Sequence, residues 1–326
     1  MIAYNKLSLV VSVARLYYEN GFGQGEIAKQ LNISRSYVSK LLTMAKEENI
    51  VTVTIKDPLQ VESRIEQAIR SHFQLRRVII TPSKVGENSL ASLCDTAAKY
   101  LDMILKSGDS IITCWGRTMY VLSQRILPRS DLEGIRVICP AGMPTNFNQN
   151  TYCIESAVNM AEGLGGVPYF LPAPVLIRDR TAREAFLREQ SIAEVMQYAE
   201  EANIAVFTLG DMNRSSFWTN AGAVTEEEMQ ELFEKGATGD AFLHILNRSG
   251  AICDESLDEQ TISISLKKLK QKEYRIGVAA GREKIDVVYS ALLGGVVNAL
   301  VIDEDIAKAI LEKISPRGGP SQQWRG

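Results

Sequence analysis

Histidine is nearly absent from this chain of 326 residues: only His72 and His244 occur. A Ser-His-Asp or Cys-His centre would have to use one of them. His72 lies in a charged helical stretch and His244 in the apolar run "AFLHIL", and neither setting suits catalysis. Cysteine is equally unhelpful. Cys94, Cys114, Cys139, Cys153 and Cys253 are odd in number, widely spaced and without a CxxC pair. That spacing excludes the usual metal-ligand clusters, and a disulfide framework is not expected in a chain without an export signal. The five read as small apolar filler. Long hydrophobic runs are missing too. The N-terminus shows no basic segment followed by an unbroken apolar one. The most apolar stretch, "YSALLGGVVNALVI" (289–302), is too short and glycine-interrupted to span a bilayer. The chain therefore reads as cytoplasmic, with no membrane partner, metal or cofactor expected. It contains no evident repeat or low-complexity segment.

What is present is ordinary in amount and uneven in placement. The chain is 45% hydrophobic and 23% charged, with a formal net charge of −3. Its length suits a small domain plus a larger one. Residues 23–46 carry Lys29, Arg35, Lys40 and Lys46 against Glu26 alone. An acidic molecule as a whole repels a polyanion, so any nucleic-acid contact falls to this patch.

The same region has helical periodicity. "LSLVVSVARLYYENG" repeats apolar residues at three- and four-residue steps and stops at Gly21. "QGEIAKQL" puts Ile27, Ala28 and Leu31 on one face, and Asn32 tolerates the left-handed backbone of a tight turn. Ser34 is placed to cap a third helix. In that helix Val38, Leu41, Leu42 and Ala45 point inward, leaving Ser34, Arg35, Ser36, Tyr37, Ser39, Lys40 and Thr43 outside. Short hydroxyls and long cations on a rigid cylinder are what the major groove and its phosphates require. Double-stranded operator DNA is the expected partner.

These residues resemble the helix-turn-helix of the SorC/DeoR-type sugar-binding transcriptional regulators. The matching run is Gln24, Glu26, Ile27 and Ala28, then Ser34, Arg35, Val38, Ser39, Lys40, Leu41 and Leu42. Gly23 departs from the pattern, where a Thr or Ser cap is more usual, at a cost of a few tenths of a kcal/mol. "NIVTVTIKD" (49–57) alternates and predicts a strand closing a winged-type domain over 1–57. Residues 58–75 predict a linker or dimerisation helix with Val61, Ile65, Ile69 and Phe73 in one stripe. That stripe could pack on the larger domain or on a second copy.

From residue 76 to 314 the pattern alternates between strand and helix. "RRVIIT", "DSIIT", "IRVIC", "NIAVFTLG", "YRIGVAA" and "VNALVID" predict strands. The intervening helices are expected over 88–106, 118–127, 154–162, 181–201, 225–235, 260–270, 283–293 and 303–314. This predicts an α/β domain with a mostly parallel sheet covered on both faces, its ligand site at the C-terminal strand ends. Residues 315–326 read as a disordered tail. Three loops carry suitable chemistry. In "CWGRTMYVL", Gly116 permits close approach, and the amides of Arg117, Thr118 and Met119 open a helix toward an anion. Trp115 could be core or ligand wall. "TLGDMN" and "GATGDAF" offer Asp211 and Asp240 to sugar hydroxyls, and "GVAAGREKIDVV" offers Lys284 after Gly281.

Together these pieces resemble the effector domain of the same family, which shares its fold with sugar-phosphate isomerases and deaminases. The matches are "GDSIITCWGRT", "GATGDAF" and "GVAAGREKIDVVYSALLGGVVNALVIDEDIAKAIL". The resemblance implies a phosphate on residues 116–118 with Lys284, and Asp240 and Asp211 reading sugar hydroxyls. Cys114 and Ala280 depart from the usual residues. "CPAGM" (139–143) lacks the lysine that forms a Schiff base in one branch of the wider family, which argues against covalent capture. The implied protein is a non-enzymatic regulator of a carbohydrate-metabolism operon. A sugar, sugar phosphate or polyol would control it, and it would act as a homo-oligomer (dimer or tetramer) on a palindromic operator. The alternative is an isomerase- or deaminase-like enzyme using the same pocket. It would have to work without a histidine and would leave the N-terminal module without a role.

Overall fold

The computed structural model describes residues 2–48, 50–51, 63–83, 87–144, 152–212, 217–220 and 222–315. The chain divides into two compact units, Met1–Val61 and Glu62–Gly326. The first holds α1 (Ile2–Tyr18), α2 (Gln24–Gln30) and α3 (Arg35–Glu47). Val10, Val13, Ala14, Ile27, Ala28, Val38, Leu41, Leu42 and Ala45 form its core. The turn between α2 and α3 passes through Asn32 at φ +52°, and Ser34 caps α3 by accepting the Tyr37 amide at 3.2 Å. Gly23 has no side chain to cap α2, but its own amide donates to Glu26 Oε2 at 2.7 Å. Apart from Ile50 and Val51, the strand expected over 49–57 lies outside the described residues, as does the tail beyond Ser315.

The larger unit opens with the helix Arg64–Phe73, capped reciprocally by Ser63 and Glu66. Ile69 is fully buried, and Ile65 and Phe73 pack against the same core, so these three positions of the stripe pack on the larger unit, while Val61 lies outside the described residues. Among the described residues nine strands follow: β1 (Arg77–Thr81), β2 (Ser110–Thr113), β3 (Arg136–Cys139), β4 (Val167–Phe170), β5 (Ile204–Asp211), β6 (Ala237–Ala241), β7 (His244–Asn247), β8 (Tyr274–Ala279) and β9 (Ala299–Asp303). Seven run parallel in the order β1-β9-β8-β5-β2-β3-β4, and β6 and β7 form an antiparallel hairpin on the end of β5. All residues of β2 and β9 are buried, as expected of a sheet covered on both faces.

Four expectations need correction. "GATGDAF" is not a loop: its five middle residues are β6, whose glycine and aspartate hide the β-branched signal of a strand. "VPYF" forms β4, which Pro168 disguised. Val167 and Leu171 donate inward to the carbonyls of Ile135 and Cys139, so the position lacking an amide hydrogen faces away from the sheet at its edge. The helix expected over 181–201 is two, Arg180–Arg188 and Gln190–Glu201, because the apolar spacing slips between Leu187 and Ile192. Over 260–270 the chain is extended at Thr261–Ile264, where β-branched and short polar residues alternate. Helix is confined to Glu255–Gln260 and Leu266–Leu269.

Candidate functional site

In the first unit, α3 buries Val38, Leu41, Leu42 and Ala45 and exposes Arg35, Ser36, Tyr37, Ser39, Lys40 and Thr43. Three predicted contact residues are already engaged. The Ser34 hydroxyl caps the helix and lies 3.0 Å from Ser36 Oγ, and Thr43 Oγ1 donates to the Ser39 carbonyl at 3.2 Å. Gln24 is half-buried at the first residue of α2. Between Ser34 and Lys46 the chain carries no acidic residue. The exposed face of α3 is thus cationic and hydroxylated.

In the larger unit, sheet topology chooses the second site. From β2 the chain proceeds to β3 and β4 on one side, then returns to place β5, β8 and β9 on the other. The loops leaving β2 and β5 therefore diverge, and the C-terminal ends of these strands are where a sheet of this kind is expected to bind a ligand. β8 is the next neighbour of β5. All three expected loops leave these three adjacent strands.

After β2, Trp115 is buried, and its indole N–H donates to the Gly142 carbonyl at 3.2 Å. It ties the β2 loop to the loop after β3. Gly116 sits at φ +122°, a conformation that L side chains avoid, and starts the helix Arg117–Ser123. The first helical bond runs from Tyr120 to the Gly116 carbonyl, so the Thr118 and Met119 amides lie outside the helical ladder. The Arg117 side chain is exposed and that of Thr118 half-buried.

Lys284 reaches from the short helix after β8 to Thr208 Oγ1 on β5, at 3.2 Å. Burial pushes its pKa down, while Asp211, then Glu283 and Asp240, hold the ammonium form against that tendency. Asp240 lies opposite Gly210 in the β5–β6 pairing. A Cβ at Gly210 would stand 2.2 Å from Asp240 Oδ1, so the carboxylate occupies the space a side chain there would need. Its other oxygen accepts the Leu243 amide at 3.3 Å. Burial raises the Asp240 pKa to about 6, opposed by the Leu243 amide, Lys284 and the Trp218 indole, and more weakly by His244.

The turn beyond Asp240 is strained. Phe242 and Leu243 take φ of +56° and +68°, bulky residues in a left-handed two-residue turn that normally demands Asn or Gly. Such positions cost about 1–3 kcal/mol each and persist only when their surroundings over-determine them. Here both side chains are buried, Phe242 packs edge-to-face on Phe207, and Ser263 Oγ donates to the Phe242 carbonyl at 3.1 Å. His244 Nδ1 lies 2.6 Å from Asp258 Oδ1 and Nε2 lies 2.7 Å from the Ile264 carbonyl, so both ring nitrogens face protein acceptors.

Sequence reasoning missed Thr208, Trp218 and the Leu243 amide. Only Thr208 left a signal: two residues before Gly210 on one strand, it shares that glycine's face. A separate cleft of about 340 Å³, lined by Arg178, Arg180, Arg183, Glu184 and Glu259 among others, draws on none of these residues. Among the described residues, no helix is long and apolar enough to cross a membrane.

Residues 57–312 match the family model described as "Putative sugar-binding domain". The chain is 31% identical over 311 residues to the deoxyribonucleoside regulator of Bacillus subtilis (strain 168), an alignment spanning 95% of this chain and 99% of that protein. It is 26% identical to the sorbitol operon regulator of Klebsiella pneumoniae, spanning 94% and 98%. The crystal structure of that full-length regulator, SorC, superposes with a TM-score of 0.81 at 27% identity, covering 94% of this chain and 98% of that one.

Proposed function

This chain belongs to the SorC/DeoR-type family of sugar-binding transcriptional regulators, and from that premise we propose that it controls a carbohydrate-metabolism operon. α3 binds operator DNA, and a small sugar, sugar phosphate or polyol held at the ends of β2, β5 and β8 sets its occupancy. The observation that carries this reading is the convergence of Lys284, Thr208, Asp240 and the Gly116 turn at the switch point of the sheet. A cation and a carboxylate there give a polyhydroxylated anion one partner for its charge and one for a hydroxyl. No lysine occupies 139–143, and Gly142 there packs against the Pro174 carbonyl, which argues against covalent capture of the effector by that segment.

The protein acts as a symmetric homo-oligomer in the cytoplasm, two copies of α3 reading the halves of a palindromic site. Only an effector that binds one arrangement of the oligomer better than another can shift DNA occupancy. The test combines thermal shift against a panel of sugars and sugar phosphates with operator binding in the presence of each hit. At a hundredfold excess over Kd an effector raises the melting temperature by about 5–10 °C, and the same compound changes DNA affinity. A panel in which every stabilising compound leaves DNA affinity unchanged refutes the reading.

The enzymatic alternative has one observation in its favour, since a carboxyl with its pKa raised to about 6 is poised as a general base. The same panel, followed for turnover, separates the two: a regulator returns its ligand unaltered.

A further inference from the structure

Asp240 does not hold its own position. Its Oδ2 is fixed by the Leu243 amide, and that amide points at the carboxylate only because Phe242 and Leu243 are both left-handed. The sequence of the turn opposes this conformation, so something outside the hairpin must impose it. Beside the packing of Phe242 on Phe207, three hydrogen bonds do so, and all three come from one region of the chain. Ser263, 9% exposed, donates to the Phe242 carbonyl at the top of the turn. His244, the residue after the turn, is anchored by Asp258 on one ring nitrogen and by the Ile264 carbonyl on the other. The stretch carrying Ser263 is itself tied to the loops that follow β3 and β2. The Gly142 amide donates to the Ile262 carbonyl at 2.8 Å, and the Gly142 carbonyl receives the Trp115 indole. A continuous hydrogen-bonded path therefore runs from the β2 loop through 142 and 262–263 to the turn and then to Asp240.

We infer that Ser263 and the His244–Asp258 pair are positioning residues for ligand recognition, clamping a strained turn so that its amide aims the Asp240 carboxylate at a hydroxyl of the bound sugar. This rests on the reading of Asp240 as the hydroxyl-reading group. Neither Ser263 nor Asp258 needs to touch the ligand. Their effect reaches only the part of the ligand that Asp240 reads and leaves the phosphate side, served by Lys284 and the 116–118 turn, as it was.

The test is a double-mutant cycle on the full-length protein, with calorimetric titration of ribose 5-phosphate, fructose 6-phosphate and sorbitol 6-phosphate, and of inorganic phosphate as the probe without hydroxyls. Ser263→Ala should weaken the best sugar phosphate five- to tenfold and leave inorganic phosphate unchanged. Asp240→Asn should weaken it more. The double variant should match Asp240→Asn alone, because a positioning residue has no effect once the group it positions is gone. Ser263→Thr, which keeps the hydroxyl, should restore binding, and Asp258→Asn should repeat the Ser263→Ala result by a second route if the alanine variant folds poorly. Losses that add in the double variant, or a Ser263→Ala loss shared equally by inorganic phosphate, overturn the proposal while leaving the effector site intact. A wild-type chain that binds none of the sugar phosphates, or an Asp240→Asn variant that binds normally, overturns the site and the proposal together.

Discussion

Gly210→Ala separates the stability of this fold from its recognition function. The added Cβ would stand 2.2 Å from Asp240 Oδ1 and 3.1 Å from its carboxyl carbon, whereas ordinary contacts begin near 3.4 Å. The obstruction is the end of a side chain, so the backbone of β5 and β6 can stay paired while the carboxylate swings away by about 1 Å. An off-rotamer side chain costs about 0.5–1.5 kcal/mol, and the weakened bond from the Leu243 amide adds about 1 kcal/mol. The fold should lose about 2 kcal/mol, seen as a modest shift in urea midpoint with unchanged slope. Recognition should suffer far more. A hydrogen bond to a charged group is worth about 1.5–3 kcal/mol, and a displaced carboxylate forfeits it, which corresponds to roughly a 10- to 150-fold loss of affinity. Calorimetric titration of the effector into folded Gly210→Ala measures this directly. Wild-type affinity in a stably folded variant would show that Asp240 is not a ligand contact. Gly239→Ala is the contrasting control. Its Cβ meets the Gly210 carbonyl at 2.3 Å and Val287 at 2.5 Å, with φ at +157°, so backbone must move and the fold itself should fail.

Lys284→Ala should abolish the effector response while operator affinity without effector stays at the wild-type value; a mutant that still responds at wild-type ligand concentrations would move the anion site elsewhere. Arg35→Ala and Lys40→Ala should each weaken operator binding and, where the contact is to phosphate, flatten the salt slope by about one unit. Unchanged slope and affinity in both would mean that α3 does not face DNA. Asp240 titrates with its folded pKa raised from 3.8 to about 6, so its protonated form is the one the fold favours. That contribution is complete below pH 4 and is lost as pH rises through about 6, an effect of about 3 kcal/mol at most. Wild type should accordingly lose stability relative to Asp240→Asn across pH 4–6 in paired urea titrations, and a constant difference would contradict the raised pKa. Effector affinity should move the opposite way, strengthening as the carboxylate forms.

Much of this architecture was legible in the sequence because its governing patterns are local. The six strands anticipated between residues 76 and 314 are apolar runs such as "DSIIT" and "VNALVID", and their alternation with helices selects a parallel sheet. Ser34, Asn32 and the spacing of Val38, Leu41, Leu42 and Ala45 specify α3 without help from distant residues. The site was legible as three separate loops. It was not legible as one place, because the adjacency of β8, β5 and β2 is a long-range property. The hairpin escaped for a different reason. A left-handed turn built from Phe242 and Leu243 contradicts local preference, and it exists only through contacts to residues such as Ser263 and Ile264. The bond from the Trp115 indole to the Gly142 carbonyl, 27 residues on, is likewise a long-range contact that no local pattern announces.

The proline at the end of the sheet also bears on how copies of the molecule can meet. Pro168 occupies an outward-pointing rung of β4, where a newcomer strand would look for a hydrogen to accept and find a ring instead. Growth of the sheet by edge-to-edge addition is therefore blocked on that flank, and runaway polymerisation through it is discouraged. Self-association through the β4 flank would then have to use the helices and loops beside that edge rather than the strand itself.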